Sequence, residues 1–164
     1  MSSWDRTASN VLALPSGRLV RGRSLCGGRV DPTDQLDSTA ADVELILLGS
    51  RRQFADAVEG PQSARESRWV EWPDFRLPTD HRDAALALLG LWSRAESSRV
   101  GVACSGGRGR TGTALACLAV VDGVPADDAV SFVRDRYSPK AVETPWQRRF
   151  VTQFPALLSR VRPD

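Results

Sequence analysis

The chain has 164 residues, of which 41% are hydrophobic and 26% are charged, and its formal net charge at pH 7 is +2. This composition predicts a single domain over residues 1–164 with a real hydrophobic core, and it excludes a largely disordered chain. The near balance of charge gives no support to a nucleic-acid partner or to stable membrane association, because both favour a strongly basic face.

The order of apolar and turn-forming residues predicts alternating strands and helices. In the first part of the chain we expect a loose segment over residues 1–10, a hairpin of strands 11–14 and 18–25 around a turn at 15–17, and a helix from 31 to about 42. Strands over 43–49, 69–72 and 100–103 should then alternate with helices over 51–58 and 80–93. The last three elements are expected to be helices over 111–121, 125–137 and from 144 onward. Asp31 is the expected cap of the first helix, and Pro155 should kink or split the last one.

Three cysteines, Cys26, Cys104 and Cys117, lie far apart and show no paired metal-ligand spacing. No apolar run approaches the roughly 20 residues that span a bilayer, and the first residues do not form a secretory segment. We therefore expect free thiols and a cytoplasmic protein.

A glycine-rich segment joins the predicted strand at 100–103 to the predicted helix at 111–121. Glycines let successive backbone N–H groups turn toward an anion, and the following helix adds its unpaired N–H groups and its positive dipole end. The segment therefore predicts a site for a phosphate or sulfate anion, formed by Ser105, Gly106, Gly107, Arg108, Gly109 and Arg110.

Cys104 lies at the mouth of this predicted anion site. A helix N-terminus and a nearby guanidinium both lower the pKa of a thiol below its free value of about 8.5, so Cys104 is predicted to be a thiolate nucleophile. Arg110 can bind two phosphate oxygens with its planar fork, and the Thr111 hydroxyl can hydrogen-bond the sulfur. An inert buried thiol is the alternative interpretation of Cys104, while a dinucleotide loop is disfavoured because Arg110 would crowd a pyrophosphate.

The spacing of Cys104, Arg110, Thr111 and Gly112 resembles the phosphate-binding loop of the cysteine-dependent protein tyrosine phosphatases, and its glycines resemble the dual-specificity branch and its bacterial members most. The resemblance implies an α/β fold, with a central mixed β-sheet flanked by α-helices. It also implies hydrolysis of phosphotyrosine in proteins or peptides, with phosphoserine and phosphothreonine as further candidates. The implied reaction passes through a phospho-cysteine intermediate and needs no metal or cofactor.

Two other segments match the family in the same order along the chain. Trp72-Pro73-Asp74 resembles the mobile loop that carries the general acid, so Asp74 is the expected proton donor to the leaving oxygen. Asp80 is the rival acid, but capping of the following helix explains it. Gln147 stands where the family has the glutamine that positions the hydrolytic water. His81, the only histidine, is expected to be a surface or capping residue.

The sequence departs from the family pattern at one position. Ala103 stands where the family usually has a histidine that helps order the loop, so we expect reduced activity with an optimum at higher pH.

Three alternative functions remain to be weighed. Arg108 resembles a basic loop position of phosphatases that act on inositol lipids, which keeps a phosphoinositide phosphatase open. A catalytically weak phosphate-binding module is disfavoured by Asp74, and a rhodanese-like sulfurtransferase by the Arg-Thr-Gly continuation.

Overall fold

A computed structural model describes residues 3–26, 35–60 and 63–162. Its elements are β1 (Val11–Ala13), β2 (Leu19–Ser24), β3 (Val43–Leu48), α1 (Arg51–Ala57), β4 (Glu66–Glu71), α2 (His81–Arg94), β5 (Val100–Cys104), α3 (Gly109–Val121), α4 (Ala126–Arg136) and α5 (Pro145–Val161). The strands form one mixed sheet in the order β1-β2-β5-β3-β4. Strands β2, β5, β3 and β4 are parallel, and β1 pairs antiparallel with β2. The predicted α/β fold class is confirmed.

The central strands are buried because helices cover both faces of the sheet. Every residue of β3 and β5 is buried, as a continuous apolar run predicts. Leu45 and Leu47 of β3 enter the large core that α2 to α5 also line. Ile46 and Leu48 point to the other face, where they form a small cluster with Phe54 of α1.

A buried carboxylate ties the two strands that flank β5. Glu44 of β3 is fully buried, and its oxygens accept hydrogen bonds from Arg23 at 2.6 and 2.8 Å and from Arg21 at 3.3 Å. Gly101 of β5 lies between Glu44 of β3 and the arginines of β2, and a Cβ on Gly101 would come within 3.2 Å of the Glu44 carboxylate. Because removing one partner of such a buried cluster leaves uncompensated charge, these side chains help fix β2 beside β5, where the glycine-rich loop begins.

Helices α2 and α5 begin directly after capping residues. Asp80 accepts a hydrogen bond from Asp83 N at 3.0 Å and caps α2, so the capping role predicted for Asp80 is confirmed. Thr144 caps α5 and forms a reciprocal capping box with Gln147. His81, the first residue of α2, is exposed, and its ring packs edge-on against Phe150 at 5.2 Å between centroids.

Two predictions near the N-terminus are wrong. Residues 3–10 are not loose, because Trp4 is buried and its indole Nε1 donates to Val100 O at 2.8 Å. Residues 35–42 form no helix. The Asp37 carboxylate instead accepts hydrogen bonds from the Thr39 backbone and hydroxyl at 3.0 and 2.6 Å, a local turn that competes with helix. Asp31, the expected cap, lies outside the described residues.

The prediction that Pro155 splits the C-terminal helix is wrong. Helix α5 continues through Pro155 to Val161 and is not split there. Pro155 lies on the exposed side, while neighbours such as Phe154 and Leu158 are buried in the core, so packing of the apolar face outweighs the lost backbone hydrogen bond. None of the helices described here is long and apolar enough to cross a membrane.

Candidate active site

Two loops meet at one edge of the sheet. Because β2, β3, β4 and β5 are parallel, their carboxyl ends lie at the same edge, and the loops after β4 and β5 both leave from it. Arg110 connects these loops: its Nη1 donates to Trp72 O at 2.9 Å, and its Nη2 lies 3.4 Å from Asp74 Oδ1. The structure therefore brings together Cys104 at the end of β5, Arg110 and Asp74.

The Cys104 sulfur lies at the floor of the glycine-rich loop. The residue is 2% exposed, and its Sγ accepts hydrogen bonds from Gly107 N at 3.2 Å and from the Thr111 hydroxyl at 3.0 Å. Helix α3 begins at Gly109, two residues earlier than predicted, so its positive end is close to the sulfur. This arrangement of donors suits a thiolate nucleophile.

The other cysteines have different environments. Cys117 is buried inside α3, and burial raises the pKa of its thiol well above the ordinary value, so Cys117 remains protonated. Cys26 is exposed beyond the end of β2. Cys104 is thus the one described cysteine whose sulfur combines burial with hydrogen-bond donors.

The Arg110 guanidinium is fixed by one hydrogen bond and has further N–H donors for a ligand. Its side chain is only 3% exposed, and one end is fixed by the carbonyl of Trp72. Its Nε is buried and has no hydrogen-bond partner within residues 3–26, 35–60 and 63–162. A buried donor without an acceptor is costly, and two oxygens of a phosphate would satisfy Nε and Nη2 together.

Hydrogen bonds join the glycine-rich loop to the end of β2. Leu25 N donates to Cys104 O at 2.9 Å, and the Ser24 hydroxyl donates to Ser105 O at 2.7 Å. Gly107 has a φ of +72°, and a Cβ on it would lie 2.9 Å from Ser24 N, so this position requires glycine. The loop can therefore pass close to β2 and turn its amides inward.

The remaining predicted anion-binding residues line the same turn. Gly106 and Arg108 are exposed, and Ser105 is half-buried. Gly109 is buried against Glu143, whose carboxylate would collide with a Cβ at that position. Arg108 precedes α3 and caps it without a side-chain hydrogen bond.

Tyr137 is a supporting residue that the sequence did not reveal. Its hydroxyl donates to Gly107 O at 2.6 Å, and its ring occupies the space above Gly22, where a Cβ would lie 2.6 Å from the ring carbon Cζ. Burial first, and then the negative charge of Cys104, raise the pKa of Tyr137 well above its ordinary value of 10.0, so the hydroxyl keeps its proton. The available signal was Gly22 itself, since a glycine inside a strand indicates a close approach.

The loop after β4 presents Asp74 to Arg110. Trp72 is fully buried, and its indole Nε1 donates to Arg76 O at 2.8 Å across the turn. The Asp74 side chain is 59% exposed, and its Oδ1 also accepts from Phe75 N at 3.0 Å. Of the described carboxylates, Asp74 is the one within 4.0 Å of an Arg110 nitrogen, whereas the Asp80 carboxylate caps α2.

Gln147 is fully buried beside the same loop. Its Oε1 accepts from Glu143 N at 3.0 Å and from Thr144 N at 3.2 Å, and its Nε2 donates to Arg76 O at 3.4 Å. The two backbone donors use both lone pairs of the amide oxygen, which leaves one N–H of Nε2 for a water. In the part of the chain that is described, no group of three or more His, Cys, Asp or Glu residues could hold a metal ion.

Comparison with known proteins identifies the family. Residues 72–152 match the PTP-SAK family, described as a Swiss Army Knife protein with a DSP-PTPase phosphatase domain. The uncharacterized protein MJ0215 of Methanocaldococcus jannaschii is 31% identical over 123 residues, which cover 75% of each chain. The chain belongs to the cysteine-dependent protein tyrosine and dual-specificity phosphatase superfamily. The resemblance seen in the sequence is confirmed.

Solved phosphatases share this fold. The kinase-associated phosphatase, with serine in place of its catalytic cysteine, superposes with a TM-score of 0.69 at 15% identity, covering 94% of this chain and 98% of that one. The phosphatase Tk-PTP in its active form gives a TM-score of 0.56 at 25% identity, covering 71% of this chain and 78% of that one. The curated relative MJ0215 is archaeal, so it gives no support to the expected bacterial affiliation.

In this cysteine phosphatase the residue before the nucleophile is Ala103, whose side chain packs against Ile46 and Leu48 on the opposite face of the sheet. The position that usually carries a loop-ordering histidine therefore makes no polar contact with the loop. Tyr137 supplies a hydrogen bond to the loop from the Cys104 side of the sheet instead.

We expect Tyr137→Phe to keep the ring over Gly22 and to leave the Gly107 carbonyl without its donor. Because one hydrogen bond contributes about 0.5–1.5 kcal/mol, kcat/KM should fall roughly 2- to 12-fold. Ser159→Ala removes an exposed hydroxyl hydrogen bond on α5 and serves as the matched control. Unchanged turnover in Tyr137→Phe would contradict the supporting role.

Proposed function

We propose that this phosphatase hydrolyses phosphotyrosine, and also phosphoserine and phosphothreonine, in proteins or peptides through a phospho-cysteine intermediate. The observation that carries the proposal is the Cys104 sulfur, which receives two hydrogen bonds at 3.2 and 3.0 Å inside a loop whose Arg110 has a buried Nε without a hydrogen-bond partner among the described residues. A nucleophile and an unsatisfied cationic donor in one loop suit attack on a phosphate ester.

In the proposed first step, the Cys104 thiolate attacks phosphorus and the bond to the ester oxygen breaks. Arg110 and the loop amides of Ser105 to Gly109 hold the equatorial oxygens as charge shifts toward the leaving oxygen. Asp74 gives its proton to that oxygen, so the alcohol or phenol departs neutral. The phosphoryl group is then bound to the Cys104 sulfur.

In the proposed second step, water hydrolyses the phospho-cysteine. The Asp74 carboxylate now takes a proton from the water, which attacks phosphorus and releases inorganic phosphate. The Thr111 hydroxyl, already 3.0 Å from Sγ, stabilises the departing thiolate. The remaining N–H of Gln147 is available to position the water. These steps use protein groups and water alone.

The rim of the site supports an aromatic phosphoester in a peptide. Phe75 and Trp146 are large apolar side chains that are 52% and 50% exposed, and the Trp146 indole contacts the Phe75 backbone by donating to Phe75 O. Phe75 is adjacent to Asp74. Exposed aromatic rings beside a phosphate site provide apolar area for a phosphotyrosine side chain.

A phosphoinositide substrate is the second candidate, and Arg108 favours it. Arg108 is exposed on the loop, and no carboxylate of the described residues lies within ion-pair distance of it, so its charge is free for a second phosphate group.

We propose further that residues 1–164 form one phosphatase domain that acts in the cytoplasm. The unpaired thiols of Cys26 and Cys117 support the cytoplasmic location, because a reducing compartment keeps thiols free.

Initial rates on a phosphotyrosine peptide, a phosphothreonine peptide and a dispersed phosphoinositide, measured with a chelator present, test the proposal. We expect peptide hydrolysis, fastest with phosphotyrosine, and little change in peptide rates for Arg108→Gln. Turnover of the lipid alone, lowered by Arg108→Gln, would establish the second candidate. Binding of phosphotyrosine without turnover would indicate a binding module, and thiosulfate turnover without phosphatase activity would indicate a sulfurtransferase.

A further inference from the structure

The first turn of α5 is joined to the loop that carries Asp74. The Trp146 indole Nε1 donates to Phe75 O, and the Gln147 amide Nε2 donates to Arg76 O at 3.4 Å. Two consecutive side chains on a helix thus hold two consecutive carbonyls of the loop. We call this pair of contacts the latch.

The latch is built on a fixed element. The capping box of Thr144 and Gln147 and the proline at position 145 set the start of α5. Trp146 is the second residue of this helix, so its indole approaches the loop from a rigid support. On the core side, the Trp72 indole donates to the same Arg76 carbonyl at 2.8 Å.

The backbone held by the latch is in a conformation that needs support. Phe75 has a φ of +59°, a region that bulky L-residues rarely adopt unless their surroundings fix it. Its side chain is 52% exposed, so side-chain burial does little to fix it. The indole of Trp146 acts directly on the Phe75 carbonyl and so stabilises this backbone.

Asp74 depends on that backbone for its position. Its carboxylate is mostly exposed and is held by a 3.4 Å ion pair to Arg110 and by a 3.0 Å hydrogen bond from Phe75 N, which belongs to the same loop backbone. A phosphate bound to Arg110 competes for the same guanidinium, so this ion pair weakens when substrate is present. The latch does not involve Arg110 and remains.

We propose that Trp146 is a positioning residue that latches the acid loop and keeps Asp74 over the bound phosphate, an inference that rests on the proposed acid role of Asp74. Trp146 acts through the loop backbone. Loss of its N–H should therefore slow formation of the phospho-cysteine only where the leaving oxygen needs the proton that Asp74 supplies.

Trp146→Phe tests the proposal, because it keeps an aromatic ring and removes the N–H. For a phosphotyrosine peptide, kcat/KM should fall about 2- to 12-fold, the equivalent of one hydrogen bond. For an aryl phosphate with an activated leaving group, kcat/KM should stay within about twofold, since this ratio reports only the steps up to departure of the leaving group and that oxygen departs without protonation. Trp92→Phe is the matched control, because it removes an indole hydrogen bond to Asp122, 2.8 Å long, near the far end of α2.

The double variant Trp146→Phe with Asp74→Asn separates positioning from a general structural effect. If Trp146 acts through Asp74, the double variant is no slower on the phosphotyrosine peptide than Asp74→Asn alone. Losses that multiply, or an equal loss on both leaving groups in Trp146→Phe, would overturn the latch. A normal Asp74→Asn effect with no effect of Trp146→Phe overturns the latch alone. The absence of a leaving-group-dependent loss in Asp74→Asn overturns the acid role and the latch together.

Discussion

Cys104→Ser is expected to reduce kcat on a phosphotyrosine peptide by at least about 10⁴-fold while leaving phosphate binding in place. A serine hydroxyl keeps its proton near neutral pH and is a weak nucleophile without an adjacent base. The donors that surround the sulfur, Gly107 N and the Thr111 hydroxyl, supply hydrogen bonds but do not accept a proton well. Steady-state kinetics measure the loss, and calorimetry with the phosphopeptide measures the retained binding through Arg110.

The other two cysteines provide matched controls for this change. Cys26→Ser makes the same replacement at an exposed position, and Cys117→Ser makes it in the core of α3. We expect both proteins to retain turnover, with a lower unfolding temperature for Cys117→Ser because a hydroxyl is buried among apolar groups. Retention of more than about a tenth of the wild-type kcat in Cys104→Ser would contradict the nucleophilic role.

Asp74→Asn is expected to lower kcat on the phosphotyrosine peptide by about 10²- to 10⁴-fold, the usual contribution of a positioned general acid. Asparagine keeps the shape of the side chain but has no proton to give to the leaving oxygen. Compared as kcat/KM, which reports formation of the phospho-cysteine and not its hydrolysis, the loss should shrink sharply for an aryl phosphate with an activated leaving group.

Asp80→Asn is the control for the acid assignment. Asparagine caps a helix about as well as aspartate, so the start of α2 should survive and turnover should stay near the wild-type value. Equal losses on both leaving groups in Asp74→Asn would remove Asp74 from the acid role. A larger, leaving-group-dependent loss in Asp80→Asn would transfer that role to Asp80.

The parts of the site that lie close together in sequence could be predicted, since local spacing encodes them. Cys104, Gly107, Arg110 and Thr111 belong to one strand-to-helix turn, and the chain geometry that suits an anion follows from the glycines. The candidate role of Asp74 could be predicted from the sequence because Trp72 and Pro73 precede it in a pattern that the family shares. Each of these predictions required little knowledge of how distant segments pack.

The contacts that support the site depend on long-range packing and were not predictable. Tyr137 reaches Gly107 across 30 positions of sequence, and Trp146 reaches Phe75 across 71. Such pairs arise from how α4 and α5 dock, which residue periodicity leaves open. The helix predicted from 31 to about 42 does not form over residues 35–42 for a local reason. The carboxylate of Asp37 can complete a turn as readily as it can favour a helix start.

Phosphoryl transfer to Cys104 is the central step of the proposed reaction, and trapping the phospho-cysteine tests it. Wild-type protein mixed with a phosphotyrosine peptide, quenched in acid within the first turnover and digested for mass spectrometry should carry a phosphoryl group on Cys104. Cys104→Ser treated identically should carry none at that position. A wild-type protein that turns over the peptide without any phospho-cysteine at Cys104 would contradict the mechanism.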